Sequence, residues 1–388
     1  MDMSALRVAL FSGNYNYVRD GANQALNRLV DYLLRQGAAV RVYAPTVEQP
    51  AFEPKGDLVS VPSIAFPGRG EYRFPLGLSA PLRQDLEAFG PTIVHLASPD
   101  IACQQALSWA RRRDLPVLAS VHTRFETYPR YYHLGFAEPL VEAMLRRFYS
   151  RCDALVAPSE GMAQVLRDQA MNGDIGLWQR GVDRDIFNPD ARELAWRQQH
   201  GITDGEVAVG FLGRLVMEKG LDVFAGTIAE LHNRGLAARV LVVGEGPAHG
   251  WLASHLPPDT VFVGFQKGAG LGRAVAAMDL LLNPSVTETF GNVTLEAMAC
   301  GVPVIGADAT GSNSLIAAGE TGLLVTPSDI PGFADAVGRL VTDRTLRTRM
   351  GAAGERRSAA YSWDAINAAV VDTYARLIGA RGTLLRAA

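Results

Sequence analysis

Two glutamates, Glu288 and Glu296, stand in the stretch TETFGNVTLEAMACG (287–301) with seven residues between them, among them Phe290, Gly291 and Asn292. Asn292 is a good N-cap, and VTLEAMAC reads as a short helix closed by Gly301. A helix start behind a glycine presents unpaired backbone N–H groups and the positive end of a dipole, which together attract phosphates. Carboxylates beside it would repel the phosphates themselves but accept hydrogen bonds from sugar hydroxyls. The spacing therefore fits a sugar nucleotide, one glutamate on the sugar and the other on the ribose. It fits equally well two solvated charges at a helix end. Upstream, GFLGRLVMEKGLD (210–222) follows an apolar run and supplies Arg214 and Lys219. Cations at the carboxyl end of a strand can bind a diphosphate and stabilise the charge that develops as it leaves. A lysine beside Glu218 at a helix start is, taken alone, an ordinary solvated pattern.

The elements that must position these residues are legible as alternating apolar runs and helix-period segments. In the first half the strand candidates are 7–12, 39–45, 92–98, 116–123, 154–159 and 174–178. NQALNRLVDYLLRQG (23–37) has helical spacing and ends on Gly37 at a C′-like position. The pattern restarts with candidates at 207–213, 238–246, 260–265, 280–285, 303–307 and 322–327. Continuous apolar strands alternating with helices imply parallel sheets covered on both faces. GVDRDIFNPDARE (181–193) has turn formers and no periodicity, as a linker does. The expected architecture is α/β: two doubly wound, Rossmann-like domains, 1–185 and 186–360, with ligands at the carboxyl ends of the strands in a cleft between them. A closing helix falls within 361–388, and the first domain is one place for it to pack back.

Bulk composition narrows the function classes. The 388 residues carry 37 Lys plus Arg against 40 Asp plus Glu, a formal charge of −3, so nothing argues for nucleic-acid binding. Three scattered cysteines, Cys103, Cys152 and Cys300, suit neither a disulfide framework nor a zinc site and read as reduced core thiols in the cytoplasm. The N-terminal residues lack the pattern of a secretory signal, and no run of about 18 apolar residues occurs.

GRLVMEKG, VVGEGP, VFVGF, NPSVTETFGNVTLEAMACGVPVIGA and GETGLLV together resemble the family 4 retaining glycosyltransferases of the GT-B fold, strongly over 205–330 and more loosely over 1–185. The resemblance implies that Arg214 and Lys219 bind the donor diphosphate. Glu288, with the backbone at Phe290, Gly291 and Asn292, would hold the donor sugar, and Glu296 the ribose. Gly264 and Phe265 would border the nucleobase pocket. In the first half, FSGNY (11–15) is similar to the family's glycine loop, with Gly13 near the diphosphate. His122 matches its active-site histidine, near the transferring sugar; alone it reads as readily as a structural residue. Asp20, Thr123, Arg124 and Tyr128 are acceptor-side expectations. One departure stands out: relatives commonly carry a Gly-Gly-x-x-Glu pattern after PVIGA, whereas this chain reads DATGSNSLI (308–316) with Ser314 at the Glu position.

The resemblance implies a metal-independent hexosyltransferase with no cofactor. A nucleoside-diphosphate sugar is the donor, GDP-mannose ahead of UDP-sugars, and a hydroxyl on a lipid or lipid-linked glycan the acceptor. Rival readings are an epimerase or hydrolase of sugar nucleotides and a sugar-nucleotide-binding protein without catalysis. VLVVGEGPAHG (240–250) imitates a dinucleotide fingerprint but lacks its spacing and its acidic partner. DRD (183–185) imitates a metal-binding Asp-x-Asp without further ligands. Basic residues at Arg111–Arg113, Arg146, Arg147 and Arg151, beside the apolar residues of LVEAMLRRFYS (140–150), fit either peripheral contact with an anionic membrane or a solvated helix face with its apolar stripe in the core.

Overall fold

The computed structural model describes residues 2–18, 20–66, 69–123 and 135–387. They fall into two compact units, one formed by Met1–Arg180 with Trp363–Ala388 and the other by Gly181–Ser362. Both are parallel-sheet α/β structures, as the alternating pattern implies.

In the first unit, β1 (Arg7–Phe11), β2 (Ala39–Ala44) and β3 (Asp57–Ser60) lie to one side of the sheet. After a hairpin of β4 (Ser63–Phe66) and β5 (Arg69–Pro75), the sheet continues with β6 (Ile93–Leu96), β7 (Val117–Ser120), β8 (Ala154–Ala157) and β9 (Ile175–Leu177). The order is β3-β2-β1-β6-β7-β8-β9, all parallel. The strand order reverses between β1 and β6, and at such a switch point the segments that leave the strands' carboxyl ends part to opposite sides, which makes a crevice for a ligand. β3 and the β4–β5 hairpin were not among the strand candidates, because they carry no continuous apolar run: β3 sits at the sheet edge with Asp57 and Ser60 exposed.

Helix α1 (Gly21–Arg35) shows how local sequence sets an element. Asp20 caps it by accepting from the Asn23 N–H, and Ala25, Leu26, Leu29, Val30 and Leu33 form its buried stripe. It ends where Gly37 takes a φ of +89°, a conformation that costs a residue with a Cβ. Each fully buried Leu or Val contributes about 1.5–3 kcal/mol relative to exposure. The closing helix (Trp363–Ala387) packs on this same unit: Asn367 accepts from Trp178 Nε1 at 3.2 Å and donates to the Arg28 carbonyl, and Arg376 pairs with Asp174. All three cysteines are buried and free.

The second unit holds β10 (Ala208–Leu212), β11 (Arg239–Val243), β12 (Val261–Phe262), β13 (Leu280–Asn283), β14 (Val304–Ala307) and β15 (Gly322–Val325). Their order is β12-β11-β10-β13-β14-β15, again parallel, with the reversal between β10 and β13. Each strand candidate of this half is present. Its core joins Val209, Phe211, Val240, Val242, Leu280 and Leu282 to helix residues such as Phe224 and Phe333. No helix among the described residues is long and apolar enough to cross a membrane.

Candidate functional site

The loops that leave β10 and β13 carry Arg214, Lys219 and Glu288, the expected donor-site charges of the second unit, and the loop after β11 packs beside them. β10 runs into Gly213 and β11 into Gly244, and the two turns touch backbone to backbone. A Cβ on Gly244 would lie 1.9 Å from the Gly213 carbonyl oxygen, and φ at Gly244 is +137°. Hydrogen bonds from Gly213 N to Val243 O and from Leu215 N to Glu245 O, at 3.0 and 2.9 Å, lock the pair. Arg214 rides this locked turn exposed, its side chain making no hydrogen bond or ion pair among the described residues. Lys219 follows, two residues before the helix Leu221–Asn233. Its Nζ donates to Glu288 Oε1 at 2.6 Å, both side chains being largely covered.

Glu288 belongs to the loop after β13, which the 308–316 segment braces from behind. Thr310 Oγ1 donates to the Glu288 carbonyl at 3.0 Å, and Ser314 Oγ donates to the Thr310 carbonyl at 2.8 Å. A Cβ on Gly311 would lie 2.3 Å from the Glu288 Cβ, so a glycine there lets the segment close on the glutamate. Ser314, where relatives commonly have a Glu, thus works as a brace in this loop.

The short helix Asn292–Ala299 differs from expectation in its cap. Gly291, at φ +100°, occupies the N-cap position, and Asn292 is the first helical residue. The left-handed turn needs the glycine, so the chain enters the helix one residue earlier than an Asn cap would allow. Asn292 Oδ1 is buried with no hydrogen-bond partner among the described residues, a cost of about 1–3 kcal/mol for a neutral acceptor. Phe290 is buried, edge-on to Tyr361. Glu296 lies within the field of Glu288; burial, reinforced by that like charge, pushes its carboxyl up to about 8. Gly264, at φ +67°, accepts through its carbonyl from Gly244 N, and the neighbouring Phe265 ring is exposed.

In the first unit the expected residues gather at the carboxyl ends of β1, β6 and β7. Gly13 N donates to Ser98 Oγ at 2.8 Å, and Ser98 in turn donates to Asp100, the N-cap of the helix Ile101–Arg111. A Cβ at Gly13 would lie 2.9 Å from Asp100 Oδ2. The strand candidate at 116–123 stops at Ser120, leaving His122 two residues beyond the strand. There its Nε2 is 2.9 Å from Ser120 Oγ, and its Nδ1 is 2.8 Å from a guanidinium nitrogen of Arg180. Asp20, besides capping α1, is the carboxylate whose charge acts on Arg180. Thr123 is half-buried, while Arg124 and Tyr128 lie outside the described residues. Sequence reasoning missed the Ser98–Asp100 brace, Arg180 and Gly311. The histidine inside the apolar run TIVHLAS, His95, was the readable signal of a buried polar cluster.

Two family descriptions match the chain, Glycosyltransferase Family 4 over residues 19–186 and Glycosyl transferases group 1 over 206–343. A GDP-mannose-dependent alpha-mannosyltransferase of Mycolicibacterium smegmatis is 34% identical over 99% of this chain and 100% of its own length. The chain belongs to the family 4 glycosyltransferases. This hexosyltransferase is also similar to the sulfoquinovosyl transferase of Arabidopsis thaliana, 30% identical over 92% of the chain and 71% of that protein. Among solved structures, a sucrose-phosphate synthase from Thermosynechococcus elongatus shares the GT-B fold, with a TM-score of 0.77 and 22% identity over 97% of this chain and 100% of that one. Among the described residues of the glycosyltransferase, no group of three or more His, Cys, Asp or Glu is assembled to hold a metal ion.

Proposed function

We propose that this glycosyltransferase is a retaining, metal-independent mannosyltransferase that takes GDP-mannose as donor and a hydroxyl on a lipid or lipid-linked glycan as acceptor, working at the cytoplasmic face of a membrane. The observation that carries the reading is the Lys219–Glu288 pair beside the Gly291 helix start, with Arg214 unpaired on a neighbouring locked turn. A diphosphate replaces Glu288 as the partner of Lys219 and adds Arg214 and the helix start. Glu288, released from the ammonium, accepts from the sugar hydroxyls, and the orphaned Asn292 Oδ1 gains a donor of the same kind. Gly13 and His122 of the first unit attend the diphosphate and the transferring sugar.

Glu288, the carboxylate assigned to the sugar, is engaged by its hydroxyls and not aimed at the anomeric carbon in this reading, so attack comes from the face the diphosphate leaves. The departing phosphate oxygen takes the acceptor's proton, and the two cations with the helix start stabilise its charge. Mannose as the sugar and guanine as the base rest on the names of the relatives. A lipid acceptor is supported by helix Glu138–Tyr149. Leu145, Phe148 and Tyr149 face the core, yet Phe136, Leu140 and Met144 form a second, exposed apolar stripe beside the exposed Arg147.

Calorimetric titration with GDP and with UDP, each with and without EDTA, tests the donor site. Selective binding of GDP that EDTA leaves unchanged supports it, and selective UDP binding would replace the donor. NMR of the mannoside formed from GDP-mannose then reads the anomer; inversion would remove the same-face mechanism.

A further inference from the structure

A chain of hydrogen bonds runs through the first unit from Arg180 to the closing helix. Arg180, which follows β9, is only 4% exposed, and it forms no ion pair among the described residues. Its guanidinium donates to the carbonyls of Trp178 and Gln179, at 3.1 and 3.4 Å, and to His122 Nδ1 at 2.8 Å. A guanidinium only donates, so Nδ1 must present its lone pair and the imidazole proton must reside on Nε2. That N–H donates to Ser120 Oγ at 2.9 Å, and the Ser120 hydroxyl donates onward to His95 Nε2, also at 2.9 Å. His95 is then protonated on Nδ1 and donates to the Tyr374 hydroxyl at 2.5 Å. Every bond points away from the cation, an order in which each polarises the next.

We propose that Arg180 is a positioning residue that, with the Ser120–His95–Tyr374 chain on the opposite ring nitrogen, clamps His122 as a single neutral tautomer and so sets the edge of the sugar site. Its effect on catalysis rests on the reading that His122 attends the transferring sugar. The clamp itself rests only on the hydrogen-bond geometry.

The surroundings of His122 agree. The ionisable groups that act on it are Arg180 from the segment after β9 and His95 from β6, with Asp20 at the start of α1 acting through Arg180. Burial first, then the Arg180 charge and His95, holds the His122 imidazole well below the usual histidine range. Protonating Nδ1 would set an N–H against the guanidinium and a second cation beside the first. The Trp178 ring meets the imidazole edge to face at 5.4 Å. With both nitrogens engaged inward, His122 has no lone pair free to act as a base.

Histidine-labelled protein, with the His122 signal assigned from His122→Gln, supplies a readout independent of turnover. In the intact protein the nitrogen shifts should report an unprotonated Nδ1 and stay flat from about pH 5 to 8, across the ordinary histidine range. In Arg180→Met the ring stays buried, so its titration is not the readout; with the donor to Nδ1 gone, the nitrogen shifts should report a mixture of tautomers, and kcat should fall about tenfold while GDP affinity holds. Arg180→Lys, which keeps one donor, should restore the single tautomer and most of kcat. A His122 that titrates normally in the intact protein, or keeps a single tautomer with Nδ1 unprotonated in Arg180→Met, overturns the clamp. If Arg180→Met does not fold, the titration of the intact protein and Arg180→Lys still decide it. Full activity of His122→Gln alongside the expected shifts would remove His122 from the sugar site and leave the clamp standing.

Discussion

At the carboxyl ends of β10 and β13 the second unit keeps ionised groups near solvent, with Arg214 exposed and Lys219 paired to Glu288. At the carboxyl end of β7 the first unit does the opposite. His122, Ser120 and His95 share protons along hydrogen bonds, and the cation that joins them, Arg180, is buried with no ion pair among the described residues. The contrast suits the roles proposed for the two regions. A diphosphate brings charge, and mobile cations that can exchange one anion for another suit it. A sugar brings neutral hydroxyls, and a fixed neutral edge suits it better, because a loose charge there would bind water.

The largest expected effect tests the charged region. Arg214→Ala and Lys219→Ala should each lower kcat about 100-fold, roughly 3 kcal/mol of transition-state stabilisation. Near-full activity in both would break the contrast, since the charged loops would then not carry the leaving group. Gly311→Ala should push Glu288 aside and weaken GDP-mannose binding about tenfold, about 1.4 kcal/mol, while GDP itself binds as before. Equal losses for GDP and GDP-mannose would assign Glu288 to the nucleotide rather than to the sugar.

Glu296 sharpens the comparison through protons. Its carboxyl, held up at about 8 by burial and by Glu288, carries a proton near neutrality in the free enzyme. Accepting from two ribose hydroxyls through both oxygens favours the ionised form. GDP binding at pH 7 should therefore release close to one proton, read by calorimetry in buffers of different ionisation heat. The folded pKa exceeds the ordinary carboxyl value, so its contribution to stability is complete in acid and is lost as pH rises through about 8. Glu296→Gln should accordingly lose less melting temperature between pH 6 and 9 than the native chain, and a parallel decline would show that Glu296 is ionised throughout. The smallest effect concerns the surface. Leu140→Glu, at an exposed position of helix Glu138–Tyr149, should weaken binding to anionic vesicles at low salt with activity on a soluble acceptor unchanged. Vesicles that fail to retain even the native chain would end the membrane reading.

Much of the scaffold was legible because its signals are local. Apolar runs marked the central strands, and Gly37 marked the end of α1. β3 and the β4–β5 hairpin escaped because a short edge strand and a ribbon with exposed residues such as Ile64 leave no apolar run. In the site, Glu288, Glu296, Arg214 and Lys219 could be named in advance, since they stand at fixed offsets from turns that the glycines announce. The cap at Gly291 was misplaced by one residue, because a left-handed glycine and an Asn cap look alike in a linear string.

What the sequence determined by itself was the alternation of strands and helices, the glycines at the strand exits and the types of the charged residues, all consequences of neighbours a few positions apart. What only the tertiary structure decided was which groups share protons and charge. Lys219 meets Glu288 across 69 positions, and His95 meets Tyr374 across 279. No local spacing encodes such meetings; they exist because sheet order and a returning helix bring distant backbone together, where burial makes each polar group find a partner.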